Sequence, residues 1–244
     1  MIIVMANWLK ETNQNIQILK EKKYFNDWQK LKTKFIIFYL YPNMTLSPDW
    51  IKKRTVIYQK NAKKLNVMPP KINFFIFPNK ETGKKIGIIP AIALVSKREI
   101  YGHLNQSPGH ELTHILLGEV NSPSNLPANG LWSEGICTYF DGTNTDRRKH
   151  TNSLGYPKEI FAISWQKWRK NFPDDLYPFA GSIIQYLHDQ FGWKSITSFL
   201  KELKNSGRND NESAKQIFKL PLKIINKNWQ IWLKDGYSSI SGKL

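Results

Sequence analysis

A chain of 244 residues is long enough to bury a full core, as one domain or as two lobes sharing a cleft. Hydrophobic residues at 41% and nine tryptophans exclude a disordered chain, and a single cysteine, Cys137, excludes an intrachain disulfide, so the fold rests on packing. The net charge of +17, from 36 Lys and Arg against 19 Asp and Glu, is spread over short runs without the glycine and aromatic interleaving of a nucleic-acid platform. Such a charge attracts anionic surfaces such as a cell envelope or nucleic acid. A compositional bias toward Lys and Asn on a solvated surface is the simpler account of it.

The opening residues, Met1-Ile2-Ile3-Val4-Met5-Ala6-Asn7-Trp8, place no basic region ahead of a short apolar run. No stretch approaches the length of a membrane helix. The expectation is a soluble, untargeted chain, cytoplasmic by default and secreted if further residues precede it. Residues 1–34 are mostly polar and helix-compatible. Residues 34–41, rich in Ile, Phe and Tyr, predict the first strand. Ser47-Pro48-Asp49 then opens a helix to about Leu65, and Pro69-Pro70 closes that unit. Residues 72–77 predict a second strand and 78–83 a turn, with further strands over 86–89 and 92–96. This β-rich stretch leads directly into the chemistry-bearing segment, and a sheet so placed offers an edge along which an extended peptide can lie.

Residues 107–118 contain His110-Glu111-Leu112-Thr113-His114. Residues four apart share one face of a helix, so His110 and His114 can grip one metal ion, with Glu111 beside the water that the metal acidifies. Ser107 as cap, Pro108 in the first turn and Gly118 at the end support a helix here. The pattern is only five residues long and also arises by chance on ordinary amphipathic helices, so it needs a second signal. A polar loop over 121–130 precedes a short apolar helix, 131–140, that carries one acidic residue, Glu134. A carboxylate in such a context needs a partner; a metal ion is one, and solvent at the helix start is the other.

Nineteen residues separate His114 from Glu134. That spacing resembles the gluzincin metallopeptidases, in which a glutamate so placed is the third zinc ligand. Trp132-Ser133-Glu134-Gly135 with Thr138-Tyr139-Phe140 is similar to the glutamate-bearing helix of their aminopeptidase branch. The resemblance implies Zn²⁺ held by His110, His114 and Glu134, with a fourth position open for water. Tyr177-Pro178-Phe179-Ala180-Gly181-Ser182 is similar to the helix start that carries an oxyanion-binding tyrosine in that branch, which implies that role for Tyr177. A core or interface tyrosine is the alternative. The tail, from Ile217-Phe218-Lys219-Leu220-Pro221-Leu222 to Trp229-Gln230-Ile231-Trp232-Leu233, resembles the C-terminal helices of the small peptidase MA-like families, so the likeness extends over about residues 48–235.

The aminopeptidase branch also has a Gly-x-Met-Glu-Asn signature whose glutamate binds a free amine. The matching stretch here, Gly87-Ile88-Ile89-Pro90-Ala91-Ile92-Ala93-Leu94-Val95, contains no acid, which points to endopeptidase action on an extended peptide. Further along, 147–154 read as a basic loop, and 158–171, 177–191 (stopped by Gly192), 193–204, 211–219 and 221–234 as helices. His103 is placed to line the cleft; for His103, His150 and His188 a surface or capping role is expected, and for Cys137 a buried, inert one. Asn129 is a weak candidate for a hydrogen bond behind a ligand.

The expected fold is therefore α+β and zincin-like: an N-terminal lobe, 1–118, with a mixed sheet and the active-site helix, then a helical lobe, 119–244, and a cleft between them. The expected function is zinc-dependent peptide hydrolysis with Glu111 as general base and Tyr177 at the oxyanion. Two other classes fit the same residues. One is a gluzincin scaffold bound at an anionic surface with little turnover, against which the intact Glu111 argues. The other is a zinc hydrolase of a non-protein amide.

Overall fold

Ile36, Phe38 and Leu40 alternate with less buried neighbours in β2 (Ile36–Leu40), which puts one face of that strand in a core. Every other residue of β3 (Ile72–Phe77) is also buried, and its second face is nearly so, as a central strand requires. The computed structural model describes residues 2–88, 90–121, 130–143, 145–152, 160–161, 176–205 and 209–235. It is α+β, with a five-stranded mixed sheet in the order β1 (Gln29–Lys32), β2, β3, β5 (Glu99–His103), β4 (Ile92–Leu94). The outer strands are β1 and β4, and β5 lies between β3 and β4. β2, β3 and β5 run parallel, while β1 and β4 run antiparallel to their neighbours. The chain forms two compact units, residues 1–124 with 140–143, and residues 125–139 with 144–244.

In the first unit α1 (Ile2–Glu21) and the turn after it cover one sheet face. Ile16, Phe25 and Trp28 pack there with Phe75, Phe77 and Tyr101, and Phe75 stacks on Tyr101 with ring centres 4.7 Å apart. The other face receives α2 (Pro48–Leu65), whose Trp50 lies against Phe38 and Phe74. α2 starts where the sequence places it: the Ser47 side chain accepts from the Trp50 N–H, Pro48 follows, and Asn66 ends the helix in the left-handed region. α4 (His110–Asn121) packs beside α2 and β4.

Several expectations for this unit are corrected. Residues 29–32 form an edge strand rather than continuing the helical stretch. Residues 80–84 form a short helix, α3 (Lys80–Lys84), capped by Asn79, rather than a turn. The apolar stretch 86–88 is not a strand: Ile86 and Ile88 both donate to the Gly83 carbonyl, and Gly87 has φ +74°. β4 stops at Leu94, where a 3₁₀ turn, Val95–Lys97, takes over, and residues 99–103 supply an unexpected strand.

The second unit is helical: α5 (Gly130–Tyr139), α6 (Arg147–Asn152), α7 (Leu176–Asn205), α8 (Asp210–Phe218) and α9 (Leu222–Asp235). Gly192, at φ 70° and ψ 168°, breaks α7 at the expected stop. α6 replaces the expected basic loop, because Arg147 and Arg148 are buried there and Arg147 donates to the Thr138 carbonyl at 2.8 Å. The helix expected over 158–171 and the loop over 121–130 lie mostly outside the described residues.

Candidate metal centre

α4 begins at His110 rather than at Pro108. The Gly109 carbonyl accepts both the Thr113 N–H at 2.9 Å and the Thr113 hydroxyl at 2.8 Å, which makes Gly109 the capping residue. Glycine is required there, because a Cβ would collide with the Phe140 carbonyl oxygen. The Gly109 N–H donates to the Asp141 carbonyl at 2.7 Å. Gly118, expected at the helix end, is buried within the helix.

The buried Asn61 of α2 reinforces this start. Its side-chain amide donates to the Thr113 hydroxyl at 3.1 Å and to the Phe140 carbonyl at 2.8 Å. At the other end of α4, Glu119 pairs with Arg98 at 3.0 Å. Leu112, Ile115, Leu116 and Leu117 fill the core, so His110, Glu111 and His114 occupy the half-buried face. The two imidazole rings stand 5.0 Å apart, centre to centre, at 72° to one another.

Glu134 is the one half-buried position in the run 131–138 of α5; its neighbours are buried. Trp132 fixes the rotation of that helix, with its indole N–H on Asp210 at 2.8 Å and its ring edge-on to Phe199. Ligand atoms of His110, His114 and Glu134 all lie within 4.8 Å of one another. Donors about 2.0–2.2 Å from a tetrahedral ion sit some 3.3–3.6 Å apart, a spacing inside that limit. Two imidazoles and a carboxylate are also the donor types that zinc favours, so the residues present fit the ion.

Tyr177 lies half-buried in the first turn of α7, in the same unit as Glu134. Gly135 lets α5 approach α7 closely, since a Cβ there would stand 2.7 Å from the Ala180 carbonyl oxygen, one turn beyond Tyr177. The Thr151 hydroxyl bonds the Pro178 carbonyl at 3.1 Å, which ties the start of α7 to α6. Glu111 sits in the first turn of α4, next to the first imidazole.

The other singled-out residues fall elsewhere. His103 is buried at the end of β5, and burial together with Lys80 and Arg54 pushes its pKa down. His188 stacks on Trp193 and approaches Asp189 at 3.3 Å, a cluster of its own in the helical unit. His150 belongs to α6, and Asn129 lies outside the described residues. Cys137 is buried, with no disulfide. In the tail, Trp229 is fully buried and donates to the Ser182 hydroxyl at 3.1 Å, while Arg148 lies over the Trp232 ring.

Sequence reasoning missed Asn61, Thr113 and Asp141, which seat the start of α4. The signal available in advance was weak: a lone Asn within the Lys-rich second half of α2. Among the described residues no helix is long and apolar enough to cross a membrane. No protein-family model matches the chain, and no curated protein matches it.

Proposed function

We propose that the chain is a gluzincin-type zinc peptidase that cleaves within extended peptides. The observation that carries this reading is the approach of His110, His114 and Glu134 ligand atoms to within 4.8 Å of one another. His110, His114 and Glu134 would hold a Zn²⁺ ion, which would supply Lewis acidity and acidify a bound water. Glu111 takes the proton of the attacking water and returns it to the departing amine. Tyr177 donates its phenolic hydrogen to the developing oxyanion without ionising.

β4 pairs only with β5 among the described strands, so its outer edge offers backbone donors and acceptors to an extended substrate. The stretch from Gly87 to Val95 has no carboxylate to hold a free amino terminus, which favours internal cleavage. The +17 charge adds a salt-sensitive attraction to polyanions, independent of the chemistry.

The test is metal analysis of the purified protein, followed by a peptide-library cleavage profile with and without chelator. The expected result is one zinc per chain and chelator-sensitive internal cleavage, lost in Glu111→Gln with zinc retained. A protein without zinc, or turnover undiminished in Glu111→Gln, ends this reading. Zinc with hydrolysis of simple amides but no peptide would move the substrate class to non-protein amides.

A further inference from the structure

Arg54 of α2 is only 3% exposed, yet its guanidinium has no carboxylate partner among the described residues. One terminal nitrogen donates to the Gln106 carbonyl at 3.0 Å, and the group lies 3.3 Å from the centre of the Trp50 ring. Its Nε has no hydrogen-bond partner among the described residues. Burial alone pushes this guanidinium down to about 9. A carbonyl and an indole face offset part of the desolvation of a buried cation, but neither supplies the opposite charge that such a group needs.

Arg54 lines an open cavity of about 380 Å³, together with Ser47, Asp49, Trp50, Lys53 and Gln106. The start of α2, an 18-residue helix, opens on this cavity, so the positive end of its dipole faces the same space. Trp50 forms a fixed wall, because its indole N–H is held on the Leu104 carbonyl at 3.2 Å. The cavity lies wholly in the sheet-containing unit and includes none of His110, His114 or Glu134.

We propose that this cavity is a carboxylate-binding site, in which Arg54 and Lys53 hold one singly charged carboxylate at the start of α2. The charged lining, Lys53 and Arg54 against Asp49, sums to +1 and matches one negative charge. Asp49 repels a second negative charge, which disfavours a phosphate dianion. The planar guanidinium matches the planar carboxylate, and a charge-assisted bond to it is stronger than its present bond to a neutral carbonyl. The inference does not depend on the metal centre.

The full-length protein is titrated with N-acetylglycine while the Trp50 indole N–H resonance, assigned through Trp50→Phe, is followed by NMR. A saturable shift is expected, with no shift from the neutral N-acetylglycinamide and weaker binding of inorganic phosphate. Arg54→Met is expected to weaken binding by about tenfold or more and Lys53→Met by about threefold, while Asp49→Asn tightens it. Lys60→Met, an exposed lysine outside the cavity, is expected to leave binding unchanged. If the buried Arg54→Met does not fold, the opposite effects of exposed Lys53→Met and Asp49→Asn carry the test. Absence of a saturable shift, an equal shift from the neutral amide, or equal weakening in Lys60→Met would overturn the proposal. Tighter binding of phosphate than of N-acetylglycine would overturn the assignment to a carboxylate.

Discussion

Asn61 joins three parts of the first unit with one side chain, so Asn61→Ala should be costly although the residue touches no candidate ligand. The amide is 4% exposed and donates at 3.1 Å to the Thr113 hydroxyl and at 2.8 Å to the Phe140 carbonyl. Each bond contributes about 1 kcal/mol, and a buried acceptor that loses its donor adds about 1–3 kcal/mol, so a loss of about 3 kcal/mol is expected. For a chain of this size that loss lowers the melting temperature by about 6–12 °C. Thermal and urea unfolding followed by circular dichroism read it directly. Thr113→Val should cost less, because the Phe140 bond survives, and the double variant should fall short of additivity by at least about 0.5 kcal/mol. Because Thr113 immediately precedes His114, the variants should also weaken zinc binding in competition with a chromogenic chelator. A stability change below about 0.5 kcal/mol for Asn61→Ala would refute the claim that this network seats the helix.

Three further outcomes are expected. Glu134→Ala should lose most bound zinc while keeping its fold by circular dichroism; unchanged metal content would place the third ligand elsewhere. Tyr177→Phe should lower turnover by about a hundredfold with zinc content unchanged, and wild-type turnover would end its oxyanion role. His103 has a folded pKa below its ordinary value of about 6.5, so the unfolded chain binds its proton more readily. That stability is present above about pH 6.5 and is lost as pH falls toward the lower folded value. Urea midpoints measured from pH 8 to pH 5 should therefore fall less steeply for His103→Gln than for the natural chain, and identical slopes would refute the assignment.

Locally encoded elements were legible. Ser47, Pro48 and Asn66 delimit α2 through their own backbone and side-chain bonds, and β3 carries the Ile- and Phe-rich run of a central strand, broken only by Asn73. Elements whose conformation depends on distant partners were not. β1, Gln29-Lys30-Leu31-Lys32, has a helix-compatible composition and becomes a strand only by pairing with residues 37–40. β5 begins with Glu99, which tolerates burial because Lys20 pairs with it and the Tyr101 hydroxyl donates to it at 3.0 Å. Conversely, 86–88 looked like a strand from side chains alone, while the bonds to Gly83 bend it into a turn.

By itself the sequence determined the pairing of His110 with His114, because helical spacing is a local property of the backbone and four residues bring two side chains onto one face. It also carried the prospect of a third ligand in Glu134, as a lone acid on an apolar helix. Only the tertiary structure decided that the Glu134 carboxylate approaches those imidazoles. It alone revealed that Gly109 sits against Phe140 and that Asn61 bonds Thr113. It also left Arg54 buried at a cavity, with no carboxylate paired to it among the described residues. These features join residues tens of positions apart, and no local preference encodes such contacts; they follow from which surfaces the core brings together.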